Sequence, residues 1–397
     1  MTFKEQFDII KRGAVEIVTE EDLLEKLKLE HPLKIKLGVD PTSPDVHLGF
    51  TVVMRKLKAF QDLGHRVVLI IGDYTATVGD PSGKNKTRPL LTHAEVLENS
   101  LTYQQQFFKI VDKARTQVVY NGAWFKEIPF TTVTRLMSEI TVAQMLERED
   151  FQNRHKEGHP ISLHEFLYPM MQAYDSVVIR ADVELGGTDQ KFNILRGREL
   201  QRSFGQQPQA GIFMPILIGT DGKEKMSKSL GNTIGISEVP QSMYHKLFNL
   251  SDSLIEDYLT LLTEMPIEEI NQKIRGIAAG DTDPNTVKDE LARSVVGQYH
   301  GRQAAEEASR NERRIHLGEA VPDDLPEVPM ERGDHWVPAL MMSAGLVKSN
   351  GEGRRLVQNG GVQFDGKKVT DPKANVSVTG EHVLKAGKRK FVRIKAL

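Results

Sequence analysis

The chain has 397 residues, 39% hydrophobic and 27% charged, which suits two or three globular domains with ample core. No apolar run is long enough to span a bilayer, and the absence of cysteine excludes disulfides and thiolate metal sites. The net charge of −2 is unevenly spread: residues 335–397 hold 12 Lys and Arg against 4 acids, a surplus of eight that leaves −10 on the rest. A basic end on an acidic body is a nucleic-acid footprint, although basic tails also serve as solubilisers.

The N-terminus does not read as a secretory signal. Phe3, Phe7 and Ile10 recur at helical spacing, so an amphipathic helix and a cytoplasmic protein are expected. Ile35–Val39 is a short strand, and Asp40 to Asp45, with Pro41 and Pro44, is a loop. Leu48 to Leu63 is a helix carrying Val52, Val53, Leu57 and Phe60, stopped by Gly64. Arg66–Ile71 is a nearly continuous apolar strand, as in a parallel sheet covered on both faces. This strand–helix–strand crossover predicts a doubly wound α/β domain.

Residues 92–174 read as a helical insertion into that domain. Val177–Ile179 returns to a strand pattern, and Ile212–Ile218 is another candidate strand. Residues 246–315 are mainly helical, with Gly297 and Gly301 as breakers in the run Leu291–Ile315. Residues 318–334 contain three prolines in an acidic, aperiodic stretch and read as a linker. The expected division is therefore a catalytic α/β domain at 1–232, an α-helical domain at 233–317, the linker, and a basic module at 335–397.

Three motifs carry chemistry. The first, Asp40-Pro-Thr-Ser-Pro-Asp-Val-His47-Leu-Gly49-Phe50, lies at the strand-to-helix turn, and helix N-termini attract anions. His47 there suits a phosphate, and Gly49 would let adenine approach the backbone; taken alone, a surface cap explains such a His more readily. The second, Lys225-Met-Ser-Lys228-Ser229, sits between Gly222 and Gly231. Two lysines three apart in a glycine-flanked loop suit a charge that appears transiently, as when pyrophosphate leaves. The third, Tyr168-x-x-x-Gln172-x-x-Asp175, puts three side chains on one helix face. A phenol and a carboxamide can hold an ammonium group, and a buried carboxylate can accept a phenolic hydrogen bond. A core tyrosine and a polar helix end explain the same residues equally well. The turn Leu185-Gly-Gly187-Thr-Asp189-Gln190 is consistent with a ribose or adenylate contact or with a plain turn. Gly79-Asp80-Pro-Ser-Gly-Lys84 is anion-friendly but also a common turn.

A His-x-Gly helix start about 180 residues before Lys-Met-Ser-Lys-Ser resembles the class I aminoacyl-tRNA synthetases. Together the motifs resemble the tyrosyl-tRNA synthetases over essentially the whole chain. The resemblance implies a Rossmann-like catalytic domain with a helical insertion, a tRNA-side helical domain and a small α+β RNA-binding module. It implies that Asp175 contacts the tyrosine hydroxyl, and that Asp80, Tyr168 and Gln172 hold the ammonium group. Thr42, His47, Lys84, Arg88, Lys225 and Lys228 resemble positions serving the ATP phosphates and the activation transition state. Asp189 and Gln190 resemble ribose and carboxylate contacts. Gly38, Asp40, Gly49, Gly187, Asp189, Lys228 and Ser229 complete the expected ATP site. Mg²⁺ would arrive with ATP, no protein-bound metal is expected, and a homodimer through the insertion is implied, with one tRNA spanning both subunits. Two departures stand out. Phe50 replaces the second His of the family's His-x-Gly-His, and Lys36 replaces a tyrosine that helps hold the substrate hydroxyl. That lysine either points away or tunes Asp175 electrostatically.

His155, His159 and His164 cluster in the insertion, but Gly158 and Pro160 interrupt any ligand helix, so they read as solvated or capping residues. In the basic module, Ala344–Val362 reads as helix, turn, helix and strand, with Ser349 as N-cap and Arg354 and Arg355 on the second helix. Val362–Val369 is a hairpin around Asp-Gly, and Lys388-Arg389-Lys390-Phe-Val-Arg393-Ile-Lys395 is a strand with one basic edge. The module resembles the small RNA-binding fold shared by a small-subunit ribosomal protein, some pseudouridine synthases and bacterial tyrosyl-tRNA synthetases. Arg354, Arg355, Lys388 and Arg389 are its expected RNA contacts, reading shape and phosphates.

The chemistry implied is in-line attack by the tyrosine carboxylate on the ATP α-phosphorus, then transfer to the terminal ribose of the tRNA. No side-chain nucleophile is needed. A site built for a hydroxyl leaves its polar group unpaired when phenylalanine enters, so no editing domain is expected. Asp175 beside Gln172 argues against a tryptophan enzyme. A synthetase-like RNA-binding protein without catalysis is fed by Phe50 and opposed by the intact Lys-Met-Ser-Lys-Ser. A dinucleotide enzyme fails for lack of Gly-x-Gly-x-x-Gly after the first strand.

Overall fold

A computed structural model describes residues 1–29, 31–41, 45–80, 92–317, 325–387 and 390–397. Two compact units emerge: Met1–Ser237 with Leu250–Pro284, and Glu238–Asn249 with Asn285–Leu397.

The first unit is built on six strands: β1 Glu16–Val18, β2 Lys34–Val39, β3 Arg66–Ile71, β4 Thr116–Tyr120, β5 Val183–Gly187 and β6 Ala210–Met214. Their spatial order is β1-β6-β5-β2-β3-β4. All neighbours are parallel except the antiparallel edge pair β1 and β6. The chain runs outward from β2 through β3 to β4, then returns to β5 on the other side of β2. That reversal opens a crevice beyond the carboxyl ends of β2 and β5, where doubly wound sheets bind ligands. The apolar run of β3 is buried throughout, as a central parallel strand demands.

Three readings of the sequence change here. Residues 92–174 are not helical throughout: β4 lies inside them and pairs with β3, so the helical insertion follows Tyr120. Its residues are mostly half-buried at the sheet edge, which weakens the apolar signal of so short a strand. Val177–Ile179 is the last turn of the helix Leu167–Ile179, and the strand comes later, at β5. Met170, Ala173 and Val177 share a helical face buried in the insertion's core with Phe151 and Leu200, and that period overrides the local β-branched preference. The strand expected at 212–218 runs instead from Ala210 to Met214, ending before Pro215, which has no N–H for the ladder.

The helical stretch 233–317 is divided between the units. Residues 250–284 belong with the sheet, where Arg12 donates to the carbonyls of Thr263 at 3.2 Å and Met265 at 2.7 Å. The Tyr258 hydroxyl reaches the Ile218 carbonyl at 2.6 Å.

In the second unit, helices Pro240–Phe248, Pro284–His300 and Arg302–Leu317 are tied by buried acids. Asp289 accepts from Tyr244 and Ser309, and Glu312 accepts from His245. Gly301, at φ +86°, makes the break between the last two helices. Among the described residues the C-terminal module has seven strands: β7 Glu327–Met330, β8 Gly333–Trp336, β9 Val362–Phe364, β10 Lys367–Val369, β11 Asn375–Val378, β12 Glu381–Ala386 and β13 Lys390–Ala396. They form a sheet ordered β10-β9-β12-β13-β7 and a pair β11-β8. β7 and the first half of β8 fall in the stretch read as linker. β7 is an edge strand, where Pro329 is tolerated. Helices Val337–Ser343 and Asn350–Gln358 pack Val337, Leu340, Met341 and Val357 against Val362, Leu384 and Ile394. Ser349 caps the second helix through the Glu352 N–H at 3.2 Å, and Asp365 and Gly366 both take positive φ between β9 and β10, as a tight hairpin turn requires.

Candidate active site

The crevice beyond β2 and β5 gathers the third motif. The helix Leu167–Ile179, ended by Arg180 in a left-handed conformation, lays Tyr168, Gln172 and Asp175 along one side of it. One hydrogen-bond path joins Tyr168 to Asp175, and a second runs from Gln172 to Asp80. On one, Tyr168 donates to Asp40 Oδ2 at 2.8 Å, and Thr75 donates to Asp40 Oδ1 at 2.8 Å. Asn121 Nδ2 lies 3.0 Å from the Thr75 hydroxyl and 3.4 Å from Asp175 Oδ2, while the Trp124 indole donates to Asp175 Oδ1 at 2.9 Å. On the other, Gln172 Oε1 accepts from Asn193 at 2.9 Å, and Asn193 also reaches Gln190 at 3.3 Å. Gln190 donates to Asp80 Oδ2 at 3.0 Å, and the buried Arg148 donates to Asp80 Oδ1 at 2.8 Å and to Asn193 at 3.1 Å.

Asp175 is 3% exposed, and burial pushes its carboxyl up to about 7. The positive charge of Lys36 and the donors Trp124 and Asn121 oppose that rise. The carboxyl is therefore ionised mainly above neutrality. Burial and the carboxylates of Asp40, Asp80 and Asp175 hold the Tyr168 phenol well above its ordinary value, so it is a hydrogen-bond donor at any working pH.

Lys36 does not point away. Its ammonium is fully buried and donates to the Gln172 carbonyl at 2.8 Å, to Ser176 Oγ at 2.7 Å and to Glu184 Oε1 at 2.9 Å.

The other side of the crevice is more open. His47 is the N-cap residue of the helix Leu48–Asp62 but makes no capping bond there. Its ring is buried, and Nδ1 is enclosed without a hydrogen-bond partner. Burial first, and Lys228 second, press its pKa down to about 4, so the imidazole is neutral. Phe50, half-exposed, packs against it with the rings tilted by 33° and centroids 4.4 Å apart. Gly49 has a reason the sequence did not give: a Cβ there would lie 3.0 Å from the His47 ring and 3.6 Å from Met226. Gly38 is different, since a Cβ on it would meet only open space. A Cβ on Gly187 would lie 2.5 Å from Asp189 Oδ1.

The Lys225–Ser229 loop is anchored by its backbone. Met226 N–H reaches the Leu217 carbonyl at 2.8 Å, and Ser227 N–H reaches Asn232 Oδ1 at 2.8 Å. Met226 is buried while Lys225, Lys228 and Ser229 are exposed. Lys228 pairs with Asp45 at 2.8 Å, and the Ser227 and Ser229 hydroxyls are 3.0 Å apart. Crowding and the Asp80 charge raise the Asp189 carboxyl, although its side chain reaches solvent, and Lys225 acts against that rise.

Thr42, Lys84, Arg88, Lys388 and Arg389 lie outside the described residues. Arg354 and Arg355 are exposed on their helix, and the Arg354 guanidinium lies 4.8 Å over the Trp336 ring. Among the described residues no group of three or more His, Asp or Glu could hold a metal, and no helix is long and apolar enough to cross a membrane. His155, His159 and His164 are exposed.

Residues 27–316 match the family of class I tRNA synthetases for W and Y, and residues 317–394 match the SYY-like C-terminal domain of tyrosine–tRNA ligases. The chain belongs to the class I tRNA synthetase family. It is 51% identical to the tyrosine–tRNA ligase of Moorella thermoacetica, covering 98% of this chain and 95% of that one. It is 52% identical to that of Carboxydothermus hydrogenoformans, covering 98% of both. In fold it is similar to the Archaeoglobus fulgidus tyrosyl-tRNA synthetase solved with L-tyrosine, with a TM-score of 0.63 and 21% identity, covering 78% of this chain and all of the other.

Sequence reasoning missed the synthetase site's supporting residues. Asn121 and Trp124 follow the unread β4, yet Val118-Val119-Tyr120-Asn121-Gly122 has a strand-and-turn signature. Asn193 and Glu184 are ordinary polar residues in a helix and a strand, Arg148 is the residue before the helix Glu149–Lys156, and nothing in their spacing marks them.

Proposed function

We propose that this chain is a tyrosine–tRNA ligase: it activates L-tyrosine with ATP to tyrosyl-adenylate and transfers tyrosine to the 3′ end of tRNA(Tyr), releasing AMP and pyrophosphate. The observation that carries the reading is the buried Asp175 at the end of a polar crevice, in a chain about half identical to tyrosine–tRNA ligases over nearly its whole length.

In this reading the substrate phenol donates to Asp175, whose remaining lone pairs are oriented by Trp124 and Asn121. The ammonium group lies among Tyr168, Gln172 and Asp80. That places the carboxylate toward the carboxyl ends of β2 and β5, where ATP would lie along Gly38, Asp40, Gly49, Gly187 and Asp189. The carboxylate attacks the α-phosphorus. Lys225 and Lys228, with Lys84 and Arg88, take up the charge of the departing pyrophosphate, and the enclosed His47 Nδ1 supplies a polar partner for the nucleotide. Mg²⁺ accompanies ATP. The tRNA is held by the basic module through Arg354, Arg355, Lys388 and Arg389, and the active form is a cytoplasmic homodimer joined through the insertion.

Amino-acid-dependent ATP–pyrophosphate exchange with tyrosine, tryptophan and phenylalanine in parallel tests this. Exchange with tyrosine alone is expected; exchange with none, in folded protein that still binds tRNA, would leave an RNA-binding protein without activation chemistry.

A further inference from the structure

A buried positive charge sits beneath the tyrosine pocket and touches it at the Gln172 backbone carbonyl. Lys36 Nζ has three protons, and each has a partner: the Gln172 carbonyl, Ser176 Oγ and Glu184 Oε1. Glu184 is equally committed. Its Oε1 also accepts from Gln172 Nε2 at 3.1 Å, and its Oε2 accepts from Ser176 at 3.0 Å and from Gln209. Both ions are at most 1% exposed. A pair this deep contributes little net stability, because desolvation offsets the attraction. Its position matters more: it grips the helix Leu167–Ile179 at residues 172 and 176, on either side of Asp175.

We infer that the Lys36–Glu184 ion pair is the positioning and electrostatic support of the tyrosine site, with Lys36 keeping Asp175 ionised to receive the substrate phenol and Glu184 moderating that charge. This rests on the assignment of Asp175 to the tyrosine hydroxyl. The groups acting on Asp175 come from each neighbouring element: Lys36 from β2, Glu184 from β5, Tyr168 from its own helix, and the neutral donors Asn121 and Trp124 from the segment after β4. Of the charges, Lys36 favours the carboxylate most strongly, and Glu184 opposes it more weakly.

The two members of the pair therefore make opposite predictions, which a purely structural role does not. The measurement is kcat/KM for tyrosine in pyrophosphate exchange at saturating ATP, from pH 5.5 to 9. In Glu184→Gln the unopposed lysine moves the acid limb to lower pH. In Lys36→Met the limb moves up by at least one pH unit, the least effect expected from losing a nearby opposite charge, giving about a tenfold loss near pH 6.5 that fades by pH 9. Should Lys36→Met fold poorly with Glu184 unpaired, the double variant Lys36→Met/Glu184→Gln removes both charges. Its limb still moves up, by less. Asp175→Asn is the control and abolishes the limb. Loss of activity by the same factor at every pH in all variants, or limbs of the two single variants Lys36→Met and Glu184→Gln that move in the same direction, would overturn the inference. If Asp175→Asn leaves tyrosine recognition and the limb intact, the assignment of Asp175 itself fails, and this inference with it.

Discussion

The two ends of the crevice are made differently. Around Asp175 and Gln172 nearly every polar atom is buried and committed to protein partners, across β2, β5, two helices and the turn after β4. Around His47 and the Lys225–Ser229 loop the charges are exposed, the loop is held mainly by its backbone, and the His47 Nδ1 is enclosed without a partner. A fixed hydroxyl is recognised by an organised, desolvated site. A charge that exists only while pyrophosphate departs calls for groups that bind it more strongly in the transition state than in the ground state.

The contrast is tested most severely at the loop. Lys225→Ala and Lys228→Ala should each lower the pyrophosphate-exchange kcat by about 10²–10³ with little change in the KM for tyrosine, the range typical of losing one transition-state electrostatic contact. A mainly raised tyrosine KM would erase the distinction between the two ends. Asp175→Asn should lower kcat/KM for tyrosine by about 10- to 100-fold, with a much smaller effect on phenylalanine, since one charge-assisted hydrogen bond is lost. The same substitution should stabilise the fold at pH 8 by about 1–3 kcal/mol in urea unfolding. The sign follows from the raised carboxyl: the unfolded chain releases this proton near pH 4 and the folded chain near 7, so stability falls across that window and the deficit persists above it. At pH 4 the gain should vanish.

Arg148→Met sharpens the comparison from the insertion side. It leaves Asp80 and Asn193 without their buried partner and should raise the KM for tyrosine by about tenfold while leaving that for ATP unchanged. The smallest effect is expected of Arg355→Ala, which should reduce the slope of log affinity for tRNA against log salt by about 0.7–0.9 and leave pyrophosphate exchange untouched.

The division also decided what the sequence disclosed. The end that carries His47 and the lysine loop is made of short contiguous motifs, so His47, Gly49, Lys225 and Lys228 stood out in the sequence, and the roles expected of them came with the family resemblance. Asp175 was legible because helical period put it on a face with Tyr168 and Gln172. Most of its supports were not, because they converge from strands and turns far apart in the chain: Trp124 and Asn121 through an unread edge strand, Glu184 through the strand beside β2, while Lys36 was singled out with its direction left open. A lysine in a short strand reads as surface until its neighbours are known. The β2–helix–β3 crossover was plain from its apolar runs, whereas Val177–Ile179 misled because three β-branched residues end a helix whose burial is set by the insertion.

The chain also crosses between its two compact units three times, leaving the first after Ser237, returning at Leu250 and leaving again after Pro284. On the ribosome, the sheet's strands are all synthesised by Met214, yet the unit they belong to lacks its last helices until Pro284 has emerged. By then part of the second unit is already waiting outside the exit tunnel for partners not yet translated. Release of the first unit from nascent-chain vulnerability therefore comes some seventy residues after its sheet is complete.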